Sequence, residues 1–117
     1  MTPDAYGPAI GGVINAVCSA YNLHISQIRK PESKRGNKAG PRKASDARIA
    51  MAYLLLRANV PLKAVCHLLN YSYNQRRGYI VRSYHKLYME TDNSYLSKYL
   101  AAERIIAPAE TQPAKSR

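Results

Sequence analysis

Residues 61–88 read PLKAVCHLLNYSYNQRRGYIVRSYHKLY, and the spacing within them decides the fold class. Leu62, Val65, Cys66 and Leu69 recur at i, i+3, i+4 and i+7, one stripe of a short helix. Pro61 suits the start of that helix, where a missing N–H costs nothing. Asn70-Tyr71-Ser72 breaks the period, and asparagine tolerates the left-handed conformation that a helix end often needs. Ser72 and Gln75 have the spacing of a capping box, which predicts a second helix from Tyr73 with Ile80, Tyr84, Leu87 and Tyr88 as its buried stripe. Its opposite face shows Gln75, Tyr79, Arg82 and Lys86, with Arg76 and Arg77 near the N-terminal end. Two helices joined in this way make a helix-turn-helix pattern over 61–88.

Moving outward, Ser45 or Asp46 can cap the preceding helix, whose stripe is Ile49, Ala52, Tyr53 and Leu56, widened by Leu54 and Leu55. That helix is therefore expected to be the most buried, and Asn59-Val60 connects it to the helix-turn-helix. From Arg29 to Lys43 the only apolar side chain outside the prolines is Ala39, while Pro31, Gly36, Gly40 and Pro41 recur, so this segment is expected to be a basic loop. Ahead of it, Ile10, Val13, Ile14, Val17, Cys18 and Tyr21 give a helical period beginning near Pro8. Gly11 and Gly12 each cost about 1 kcal/mol relative to alanine inside a helix. Either the helix starts after them or another backbone packs close. Asn22 ends this helix, and Ile25 and Ile28 suggest one further turn capped from His24-Ile25-Ser26.

Downstream, Ser94 can cap a last helix carrying Tyr95, Leu96, Tyr99, Leu100 and Ile105 or Ile106. Residues 1–7 and 107–117 are expected to be disordered. No segment favours a strand over a helix. The expectation is an all-α single domain of about five to six helices over residues 8–106.

The 117 residues carry 18 Lys and Arg against 7 Asp and Glu, a net charge of +11. Folding does not require such a charge, and self-repulsion works against it, so a polyanionic partner is implied. The charge is also concentrated: Arg29, Lys30, Lys34, Arg35, Lys38, Arg42 and Lys43 face the single acid Glu32 within one short segment. No run reaches the roughly 18 apolar residues of a membrane span, and no signal-peptide pattern opens the chain, so the expected location is cytoplasmic, in a bacterial or phage nucleoid. Cys18 and Cys66 lie on apolar stripes, where reduced thiols act as small hydrophobes. His24, His67 and His85 lack zinc-site spacing, no phosphate-binding loop occurs, and the acids are scattered singly. Neither an enzyme nor a metal or other cofactor is indicated.

The residues suit duplex DNA, where cations on phosphates supply affinity and side chains on base edges supply preference. At the start of the second helix, Asn74 and Gln75 match adenine, while Arg76 and Arg77 match guanine or phosphate. Gly78 would let a nucleic-acid backbone approach. Arg82 and Lys86 are placed for phosphate. The loop cations, with Arg48 at the loop's far end and Lys63, would hold the backbone or enter the minor groove. Of the ten tyrosines, in a chain without Phe or Trp, Tyr53, Tyr84, Tyr88 and Tyr99 read as core. Tyr71, Tyr73 and Tyr79 gather near Arg76 and Arg77, where stacking on bases is an option. Two other functions fit the same residues: a protein-interaction module for an acidic partner, and an RNA or single-strand binder.

Residues 14 to about 103 resemble the C-terminal DNA-binding domain of the bacterial replication initiator DnaA, in the Trp-repressor-like helical group. The matching parts are INAVCSAYNLHISQI, the basic loop, RIAMAYLL, PLKAVCHLL and IVRSYHKLY. The resemblance implies sequence-specific duplex binding, with the second helix of the pair in the major groove and the basic loop with the start of the following helix at the minor groove and phosphates. It implies a regulatory role in transcription or replication, with other regulatory proteins as further partners. The family's G-x-R-D-H-T-T-V type run is replaced here by NYSYNQRRGYIV, and Ala47, followed by Arg48, stands where the family places an arginine. The family's ATPase module is absent from these residues, so a stand-alone DNA-binding protein is expected.

Overall fold

The computed structural model describes residues 7–30 and 42–115, with side chains through residue 106. Six helices occur among them and no strand: α1 (Gly7–Tyr21), α2 (Ile25–Ile28), α3 (Arg42–Arg57), α4 (Leu62–Leu69), α5 (Arg77–Thr91) and α6 (Asn93–Lys115). The all-α single-domain expectation holds. No helix among the described residues is long and apolar enough to cross a membrane.

The architecture is organised on α3, which packs against α1, α2, α4 and α5, while α6 closes the bundle against α1 and α5. Its buried residues include Ala44, Ala47, Ala50, Met51, Ala52, Leu54 and Leu55. Small side chains around most of the helix circumference let four neighbours approach it closely. The expectation that this is the most buried helix is met, although Ile49, Tyr53 and Leu56 are only partly covered. Around α3 the core is completed by Val17, Tyr21, Ile28, Val65, Leu69, Val81 and Tyr95.

Three helices end alike. Asn22, Asn59 and Asn70 follow α1, α3 and α4 with φ of 56°, 68° and 62°, in the left-handed region. The next amide in each case reaches back across the end of the helix, Leu23 to the Cys18 carbonyl (3.1 Å), Val60 to Leu55 (3.1 Å) and Tyr71 to Cys66 (2.9 Å). These are Schellman closures, and each places an apolar side chain just beyond its turn. The one-turn α2 is capped as expected, with the His24 side chain accepting from the Ser26 amide and the His24 amide donating to Gln27 Oε1.

The boundaries of three helices and the phase of one differ from expectation, while α1 starts at Gly7, beside the expected Pro8. Gly11 and Gly12 lie inside α1 with open space above both, so neither a late start nor a close neighbour within the chain accounts for them. α3 begins at Arg42 rather than Ser45, its first turn supported by an Arg42–Asp46 ion pair at i, i+4. α5 begins at Arg77, not Tyr73. Asn74 forms the turn instead: its side-chain oxygen accepts from the Arg76 amide (2.7 Å) and its carbonyl from the Arg77 amide (2.9 Å). α6 is capped by Asp92, whose Oδ1 accepts from the Tyr95 amide, and runs past Ala107 to Lys115.

The phase of α5 is rotated by about one residue from the predicted stripe. Its buried line is Gly78, Val81 and His85, whereas Tyr84 and Leu87 stand 46% and 50% exposed. The cause is a polar residue that pays no burial penalty because its partners are in place. His85 stacks on Tyr53 with ring centroids 3.7 Å apart, meets Tyr99 edge-on at 4.6 Å, and shares a 2.8 Å hydrogen bond from Nδ1 to the Tyr95 hydroxyl. Burial holds the imidazole neutral, with its pKa down at about 4.

Candidate nucleic-acid interface

The segment between α4 and α5, residues 70–76, is where exposed cations meet. On one side, Lys30 is stitched to it: its amide donates to the Leu69 carbonyl (3.0 Å) and its own carbonyl accepts from Asn70 Nδ2 (2.8 Å). On another, the Lys63 ammonium lies 5.4 Å from the centroid of the Tyr73 ring. Gln75 and Arg76 are exposed within the segment itself. From there α5 presents Tyr79, Ser83 and Lys86 at i, i+4 and i+7 along its solvent face, with Tyr79 66% exposed. Arg82 is exposed beside them, its guanidinium folded back over Gly78.

Other expected site residues are used inside the fold. Arg29 donates from Nε to the Leu68 carbonyl (2.7 Å) and from Nη2 to that of His67 (3.3 Å), capping the C-terminal carbonyls of α4. Arg48 is a correction: it is buried in α3, donating from Nε to the Ile28 carbonyl (2.7 Å), rather than open to solvent beside the loop. Burial lowers its pKa. Arg42 and Lys43 belong to the first turn of α3, not to a loop. Arg42 joins Asp92 through Nη2 (2.6 Å) and Asp46 through Nε (3.5 Å), lining with Lys43 and Lys98 a separate cavity of about 340 Å³ at the start of α6. Lys34, Arg35 and Lys38 lie outside the described residues.

The two ends of the predicted reading run separate as well. Asn74 has spent its side-chain oxygen on the Arg76 amide, which leaves only its NH₂ to project outward. A two-point match to adenine needs both groups. Arg77 is half-buried with its guanidinium carbon 4.5 Å over the Tyr71 ring, and its Nε is buried without a hydrogen-bond partner. Gly78 is buried in the protein, so it offers no close approach to a ligand. Of the expected tip, Gln75 and Arg76 are the residues with both exposure and free polar ends.

Ser83 was missed in the sequence, as was the apolar flank of Tyr84 and Leu87. Both follow once α5 is phased on His85 rather than on Tyr84, and a tyrosine-rich chain with one histidine in the i+4 line from Val81 was the available signal.

Both cysteines are free thiols, Cys66 buried and Cys18 partly so. Among the described residues no group of three His, Cys, Asp or Glu side chains is placed to hold a metal ion. No family model matches this chain, and neither does any curated protein or solved structure.

Proposed function

We propose that the chain binds duplex DNA sequence-specifically, using α4 and α5 as a helix-turn-helix with α5 in the major groove. The observation that carries this reading is the outward row of Gln75, Arg76, Tyr79, Ser83 and Lys86, flanked by Arg82, Lys30 and Lys63, on a chain of net charge +11. Gln75 and Arg76 are the base readers, one matching adenine and the other guanine. Lys30, Lys63, Arg82 and Lys86 hold phosphates, and Arg77 braces Tyr71 under the tip. The resemblance to the replication initiator's DNA-binding domain supports the same reading and a regulatory role at a promoter or origin.

The test is a set of gel shifts with duplex DNA, single-stranded DNA and RNA at two salt concentrations, with bound sites selected from random duplex. One enriched site is expected, with log K falling against log salt at a slope of roughly −4 to −6 if about five to seven phosphates are neutralised. Equal affinity for all three polymers would defeat the reading. A second reading has its own support, since Tyr84 and Leu87 put apolar area beside the cations, as an acidic protein partner would require. Salt-insensitive binding to such a partner, without duplex affinity, would favour it.

A further inference from the structure

Tyr79 stands apart from the other tyrosines of the chain. Each of the others among the described residues is buried in the core, packed on His85 or a second tyrosine, or set against the cations Lys63 and Arg77. Tyr79 has neither a ring partner nor a hydrogen-bond partner among them, and at 66% it is the most exposed of their large apolar side chains. Nothing in the fold requires a ring at this position. It belongs to the outward row of α5, between Arg76 at the N-terminal end and Lys86 about two turns further on. Ser83, the next member of the row, is also uncharged, and Arg82 lies to one side with its guanidinium over Gly78. The stretch of the row between Arg76 and Lys86 is therefore neutral.

We propose that Tyr79 selects thymine, its ring seated on the C5 methyl group; this rests on the reading of α5 as the helix in the major groove. In a duplex the faces of the bases are covered by their neighbours, so a side chain in the groove meets base edges or the flanking phosphates. Lys86 and Arg82 hold phosphates in that reading and Arg76 a guanine, so the neutral stretch between them lies over the groove floor. That floor presents hydrogen-bonding groups at every base pair, and its apolar group is the thymine methyl. There an exposed ring exchanges water for a dry contact, which is the gain that its carbon surface offers. A hydroxyl reaching a phosphate is the competing use of the same side chain, and a ring without the hydroxyl separates the two.

The experiment is fluorescence anisotropy of the full chain on the duplex recovered by site selection, and on copies in which each thymine in turn is replaced by uracil, which lacks only the methyl. One replacement is expected to weaken binding about fourfold, equivalent to about 0.8 kcal/mol for one buried carbon. Tyr79→Ala is expected to bind the thymine and uracil duplexes alike. Tyr79→Phe, which keeps the ring and loses the hydroxyl, is expected to retain both the affinity and the difference. The ring has no partner in the fold, so circular dichroism should show the helices intact in both variants. Uracil duplexes that all bind like the parent, a selected site without thymine, or a difference that persists in Tyr79→Ala would overturn the proposal and leave sequence-specific binding standing. Affinity that falls as far in Tyr79→Phe as in Tyr79→Ala would overturn it too, by assigning the contact to the hydroxyl. Recovery of no preferred site from random duplex would instead remove the reading of α5, and this proposal with it.

Discussion

Acidification should unfold this protein through His85. In the unfolded chain a histidine takes up its proton near pH 6.5. In the fold, His85 lies between Tyr53, Tyr95 and Tyr99, and burial, assisted by the Arg57 guanidinium, lowers its pKa to about 4, against a smaller opposing pull from Glu103. Between those two values the unfolded state binds more protons than the folded one, so stability is complete above about pH 6.5 and declines as the pH falls toward 4. At 1.36 kcal/mol for each pH unit, the separation corresponds to about 3 kcal/mol. For a domain of this size that lowers Tm by roughly 10–20 °C. Asp46 acts in the opposite sense, because burial raises its pKa and lets the folded state take a proton early. The assay must therefore isolate His85. Urea titrations from pH 7 to 4.5 on the wild type and on His85→Phe serve that purpose. Phenylalanine can keep the stack on Tyr53 and has nothing to protonate, so the variant should lose most of the decline over this window. Parallel pH dependences for the two proteins would refute the reasoning.

Other outcomes are open to direct measurement. Arg48→Ala removes a buried donor from the Ile28 carbonyl and should cost roughly 2–3 kcal/mol in urea unfolding, while the folded fraction keeps its DNA affinity. Arg76→Ala should relax base preference in a site selection, whereas Arg77→Ala, by removing the cation over Tyr71, should cost about 1 kcal/mol of stability and leave the selected site unchanged. Gly11→Ala should raise stability by about 1 kcal/mol, read as a higher Tm, because its Cβ enters open space.

The helix content and most helix ends were legible because the signals are local. Asn22 and Asn70 marked two ends through their tolerance of left-handed backbone, and the i, i+3, i+4, i+7 spacing placed α1 and α4 to within a residue or two. What failed were judgements that depend on distant partners. The burial of His85 depends on tyrosines from α3 and α6, and the burial of Arg48 on a carbonyl at the end of α2. No window of neighbouring residues contains either partner, so His85 was left off the buried stripe and Arg48 was read as an outward cation. The start of α5 failed for a different reason. Ser72 and Asn74 are both residues that hydrogen-bond nearby amides, and spacing alone does not say which will form the turn.

The alanines of α3 leave the protein with almost no slack at its centre. Ala47, Ala50 and Ala52 have no solvent exposure, and four other helices rest on the segment that holds them. A valine at any of these positions would act as a wedge, with a cost of about 1–3 kcal/mol. The displaced partners would include α4 and α5, so crowding at a single methyl deep in the bundle should reach the exposed tip at Gln75 and Arg76 as a misalignment.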